Sequence, residues 1–94
     1  MVSVIITCKN DRVVSFEEAS EVVVYDMDAR KVVHKAEKPS RLYVLEDVAE
    51  EFDSCALLTT SVSTEVREVL EEMGLKVVLV KPSALAEILS DIFL

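Results

Sequence analysis

Ninety-four residues with one glycine and two prolines describe a single folded domain, 1–94, and leave neither disorder nor a second unit as options. The net charge of −8 makes nucleic acid and anionic membrane surfaces poor partners, because both are bound through Lys and Arg. One histidine and two cysteines without C-x-x-C spacing cannot supply the four ligands of a structural zinc site.

A chain of this mass buries roughly 65% of its unfolded surface, enough for one modest core. Hydrophobic residues make up 51% of the chain, with valine prominent. Glutamine is absent and Asn10 is the only asparagine, a bias that points to a thermophilic source. The opening MVSVIITCKN has no basic region and too short an apolar run for a signal peptide or a membrane span, which sets cytoplasmic location as the expectation.

Residues 2–7, VSVIIT, are short, apolar and β-branched, the pattern of a buried central strand. The polar run KNDR at 9–12 breaks it. Residues 21–26 and 31–36 read as two further strands around Met27-Asp28-Ala29-Arg30, a spacing that predicts a hairpin. Asp26 and Asp28 belong to its turn chemistry, since no glycine or distal glutamate completes a calcium loop. The second arm, KVVHKAEK, sets Lys31, His34, Lys35 and Lys38 along one strand, and lysine-rich strands form sheet edges. His34 therefore reads as a solvated or half-buried edge histidine.

Pro39 closes that strand. Ser40 is placed to cap a helix whose apolar stripe runs Leu42, Leu45, Val48, Ala49 and Phe52. CALLTT at 55–60 is another continuous apolar strand. Ser63 is an N-cap for a helix over 64–73, with Glu65 at the positive dipole end and Val66, Val69, Leu70 and Met73 on one face. Gly74 stands where a left-handed residue ends a helix. KVVLV at 76–80 reads as a third buried strand. Pro82 and Ser83 introduce a last helix carrying Leu85, Ile88, Leu89, Ile92 and Phe93. The order β, loop, β, β, α, β, α, β, α predicts an α/β fold: a mixed five-stranded sheet, half antiparallel hairpin and half parallel, with about three helices on its faces.

Two stretches go further. In ALLTTSVSTEVREVLEEMGLKVVLV, the run Glu71-Glu72-Met73-Gly74-Leu75-Lys76-Val77-Val78 matches a Glu-Glu-x-Gly helix end followed by a Lys-Val-Val-like strand. In SFEEASEVVVYD, Phe16-Glu17-Glu18-Ala19 stands shortly before a strand ending Tyr25-Asp26. Together they resemble the dinitrogenase iron–molybdenum cofactor biosynthesis family, small proteins with a ribonuclease H-like three-layer fold. The resemblance spans nearly the full chain and implies that these loops gather at one sheet edge to hold an anionic iron–sulfur or iron–molybdenum cluster.

The sequence departs from the family where the ligand would sit. The family's Phe-Gly-Arg-Ala segment has Glu17 and Glu18 for its Gly and Arg, and Ser15 for a histidine often found before the Phe. Its Gly-Gly-x-Gly-Pro turn reads Thr60-Ser61-Val62-Ser63-Thr64, followed by Glu65. Glycines let backbone approach a ligand and arginine neutralises its charge; two glutamates and a run of β-branched and hydroxyl residues reverse that chemistry.

The candidate ligand residues are then Cys8, Ser15, Phe16, Thr60, Ser61 and Ser63, with Cys8 the candidate metal ligand. Cys8 ends the first strand beside the loop, where a small buried residue at a strand end is the commoner case. The hydroxyls of the 60–63 turn suit either a small anion at the helix start or simple N-capping. Cys55 begins the next central strand; if that strand runs parallel to and beside the first, the two cysteines lie at opposite ends, beyond the roughly 7 Å reach of a disulfide. Neither VSVIITC nor ALLTT carries a carboxylate, so a two-metal nuclease has no ligands, and no Ser–His–Asp set can be assembled. The expectation is a small non-enzymatic binding or carrier protein related to the cluster-cofactor proteins. The alternative is a cofactor-free interaction or homodimerisation module, its contact the apolar Ile92-Phe93-Leu94.

Overall fold

The computed structural model describes residues 2–91. Among them the elements run β1 (Ser3–Lys9), β2 (Arg12–Val13), β3 (Glu21–Asp26), β4 (Lys31–Glu37), α1 (Leu42–Glu51), β5 (Ser54–Thr59), α2 (Thr64–Glu72), β6 (Lys76–Leu79), β7 (Ser83–Ala84) and α3 (Leu85–Asp91). The result is a mixed α/β fold on one sheet. β1 is its centre and is buried on both faces from Ser3 to Cys8, which is why a run without polar alternation forms a strand here. β3 lies antiparallel on one side, with Val4 opposite Tyr25 and Thr7 opposite Val22. β4 pairs antiparallel with β3 and ends the sheet there. On the other side β5 runs parallel to β1 and β6 runs parallel to β5.

Helices cover both faces. Leu45 and Ala49 of α1 and Leu70 of α2 pack with Ile5, Val22, Val24 and Leu57. On the opposite face Ile88 of α3 packs with Val4, Ile6, Val23 and Leu58. Alternation along β1 therefore sends Ile5 and Thr7 toward α1 and α2, and Ile6 and Cys8 toward α3.

Local chemistry sets the turns. Asp26 Oδ1 accepts hydrogen bonds from the N–H groups of Asp28 (2.9 Å) and Ala29 (3.0 Å), and Arg30 takes φ 58°, closing the β3–β4 hairpin. Asp28 Oδ2 accepts from the Val2 N–H at 3.1 Å, so both aspartates serve the backbone. Ser63 Oγ accepts from the Val66 N–H at 3.3 Å and starts α2; Gly74, at φ 90°, ends it. On the β4 edge Lys35 bridges Asp11 at 3.3 Å and Glu21 at 3.7 Å. Hydrogen bonding to Asp11 holds its ammonium above the usual lysine range.

Three expectations need correcting. Ser40 does not cap α1: the N-cap is Arg41, without a side-chain cap bond, and the Val44 N–H bonds the Arg41 carbonyl at 3.2 Å instead. The sheet holds seven strands among the described residues rather than five. KNDR does more than end β1, because Asn10 and Asp11 adopt φ of 52° and 61°. That left-handed pair makes a two-residue hairpin and returns Arg12–Val13 onto Cys8–Lys9. β7 then pairs with β2, Val13 opposite Ser83. Two-residue ladders are too short to leave a periodicity in the sequence. Ile92, Phe93 and Leu94, the expected contact of an interaction module, lie outside the described residues. No helix among those described is long and apolar enough to cross a membrane.

Candidate functional site

Two segments meet where β5 ends: the loop leading from β2 to β3, and the turn between β5 and α2. The Phe16 N–H bonds the Ser61 carbonyl at 2.9 Å, and the Thr60 N–H reaches the Val14 carbonyl at 3.4 Å. Beneath them Thr7 and Thr59 are fully buried, their hydroxyl oxygens 2.8 Å apart. Both hydroxyls also reach the Val14 carbonyl, at 2.8 and 3.1 Å. Buried hydroxyls need such partners, and here the partner is the loop itself. The pair is a pedestal that ties the loop to the central strands.

Phe16 anchors the loop by burying its ring against the α1–α2 core. The Lys38 ammonium lies 4.8 Å from the centroid of that ring and donates to the Phe16 carbonyl. Ser15 tightens the turn, its Oγ accepting from the Glu18 N–H at 3.2 Å and its carbonyl from the Ala19 N–H at 3.0 Å. This geometry aims Glu17 across the gap. Its Oε1 accepts from the Ser63 backbone N–H at 2.9 Å, at the start of α2. Helix starts present unpaired N–H groups and a partial positive charge, so a carboxylate is a fitting occupant. Glu18, beside it, has no polar side-chain partner among the described residues.

Ser15, Phe16, Thr60, Ser61 and Ser63 are thus brought together. Cys8 is not. Its carbonyl accepts from the Ser20 N–H at 3.0 Å, yet its side chain is 1% exposed and points to the α3 face with Val13 and Ile88. Burial, with a smaller push from Glu21, raises the thiol to about 11, so it stays protonated at neutral pH. Cys55 sits beside Ser3 at the other end of β1, its Sγ 3.5 Å from the Ser3 carbonyl, and both thiols are free. His34 packs against Phe52, ring centroids 5.0 Å apart. Among the described residues no group of three His, Cys, Asp or Glu is placed to hold a metal ion, and every buried side-chain N or O has a hydrogen-bond partner.

Sequence reasoning missed three parts of this edge. The charge of Glu17 is legible in the sequence and its partner Ser63 is not, because the contact joins residues 46 apart. Lys38 looked like an edge lysine. Thr7 and Thr59 sat in apolar runs, and only their both being the last inward residue of a central strand could have paired them.

No family model and no curated protein matches the chain. Solved structures do. The structure of the protein PH0822 aligns over 96% of this chain and 88% of its own, at 17% identity and a TM-score of 0.75. A candidate NifB protein from Thermotoga, of the DUF35 family, aligns over 99% of this chain and 87% of its own, at 20% identity and a TM-score of 0.69. A candidate dinitrogenase from Methanocaldococcus jannaschii aligns over 94% and 84%, at 15% identity and a TM-score of 0.70. The likeness is one of fold. At these identities it relates the chain to NifB-like and dinitrogenase-like proteins by architecture and carries no ligand with it.

Proposed function

We propose that the chain is a small non-enzymatic binding protein of the ribonuclease H-like group that includes the cluster-cofactor proteins, and that its ligand edge is closed by its own Glu17. The observation that supports this reading is the 2.9 Å hydrogen bond from the Ser63 N–H to Glu17 Oε1, at the place where the family resemblance puts an anionic ligand. A carboxylate there supplies the negative charge an anion would bring and repels a second one. In this state the chain works through its surfaces, as an interaction module, rather than as a carrier.

A thiolate or imidazole ligand and a neutralising cation at this edge would serve a carrier of an iron–sulfur or iron–molybdenum cluster, and His34 lies instead against Phe52. The nearest thiol, Cys8, is protonated and on the opposite face, and Lys38 already holds the Phe16 carbonyl. The test is anaerobic titration of the purified chain with ferrous iron and sulfide, and separately with tetrathiomolybdate, followed by visible absorption. The proposal expects no saturable protein-bound absorption from either. A saturable band from either overturns it in favour of the carrier, and its loss or survival in Cys8→Ala tells whether that thiol is the ligand.

A further inference from the structure

The β4 and β6 edges of the sheet are finished differently. β4 carries Lys31, His34, Lys35 and Glu37 along its length and its pairing with β3 slips between Val24 and Tyr25, both devices that stop further strands from adding. β6 at the other edge has no charge between Lys76 and Lys81. The Val80 N–H bonds the Thr59 carbonyl at 2.9 Å, so alternation turns the backbone groups of Val78 and Val80 toward β5 and those of Val77 and Leu79 outward. Leu79 is 53% exposed. Beside this strand, on the α3 face, lies an open apolar groove of about 600 Å³. Val78, Val80 and Leu58 form its floor, Ile88 and Glu87 of α3 one wall, and Pro82 one end.

We propose that the β6 edge and this groove take an extended peptide segment of a partner protein, added as a further strand. Backbone bonds to Val77 and Leu79 would hold it, and its alternate side chains would enter the groove over Val78 and Val80. The charges select the partner's chemistry. Lys76 and Lys81 bracket the edge and neither has an ion pair among the described residues. They match a short alternating apolar core flanked by acidic residues. A second copy of the chain fits less well, because an antiparallel joint sets its own Lys81 and Lys76 against Lys76 and Lys81. This inference stands independently of whether Glu17 closes the loops at the start of α2.

The test uses the full chain and a synthetic peptide, a Val-Thr-Val-Thr-Val core with acidic residues at both ends, against the same core between lysines. On saturation with the acidic peptide, the Val77 and Leu79 amides slow in hydrogen exchange by about tenfold or more. N-methylating the peptide at alternate residues of one phase weakens binding by about tenfold, while methylation in the other phase has little effect. Lys76→Glu with Lys81→Glu reverses the preference between the two peptides. Leu79→Pro removes an outward donor at an edge position that tolerates proline, and abolishes binding. Equal binding of both peptides, insensitivity to methylation phase, or protection of the two amides in a peptide-free dimer overturns the proposal.

Discussion

Glu17 and Glu18 are neighbours with unequal partners, and that inequality can be measured. Glu17→Ala deletes the carboxylate that accepts from the Ser63 N–H, while Glu18→Ala deletes one with no polar partner. A charge-assisted bond at an exposed helix start contributes about 1 kcal/mol, taking the hydrogen bond and the interaction with the helix dipole together. For a domain of this size that is a fall in Tm of about 4–8 °C. Glu18→Ala should stay within about 0.5 kcal/mol of wild type, since it also relieves charge crowding in a chain of net −8. Thermal melts followed by far-UV circular dichroism read both. Salt supplies a second check: in 1 M sodium chloride, where the Debye length falls to about 3 Å, the gap between the two variants should narrow. Glu17→Gln keeps an oxygen acceptor and should fall between them. Equal melting temperatures for Glu17→Ala and Glu18→Ala would mean that the Glu17–Ser63 bond contributes nothing to stability.

The remaining predictions concern the scaffold of the site. The Cys8 thiol, pushed up from its ordinary value near 9 to about 11, ionises in the unfolded chain first. Its contribution is therefore complete below about pH 9 and falls away as pH rises toward 11, by at most roughly 3 kcal/mol at about 1.4 kcal/mol per unit. Urea midpoints at pH 8 and 10.5 should show this loss in wild type and not in Cys8→Ala, and parallel losses would contradict it. Ser63→Ala removes the cap on the Val66 N–H and should lower stability by about 1 kcal/mol; an unchanged midpoint would place the cap elsewhere. Gly74→Ala meets no atom within 4 Å of the added methyl but must hold φ 90°, so it should cost about 1 kcal/mol through backbone strain alone. A neutral result would mean the helix end relaxes to another conformation.

The long elements were legible because their burial writes itself into the sequence. VSVIIT and CALLTT are apolar throughout because β1 and β5 are covered on both faces, and the lysines of KVVHKAEK mark an edge. Ser63 and Gly74 could be placed because a cap is a local interaction within a few residues. What escaped is short or distant. β2 and β7 are two residues each and depend on one another. Ser40 had the right chemistry for a cap, and the helix began one residue too late to use it. At the site, residue types alone put Cys8 near the loop; strand parity then turns its side chain through the sheet, away from Phe16. The contact that closes the edge joins Glu17 to a backbone N–H in another loop, and backbone groups carry no sequence signature.

The Ser63 amide reports on that contact directly. Its proton resonance and exchange rate, measured in ¹⁵N-labelled wild type and in Glu17→Ala while molybdate or phosphate is added, separate an occupied helix start from a vacant one. In wild type this amide is expected to be protected and not to respond to either anion at millimolar concentration. In Glu17→Ala it should exchange faster and shift on titration. A wild-type Ser63 amide that exchanges freely and titrates as the variant does would show that Glu17 does not close this edge.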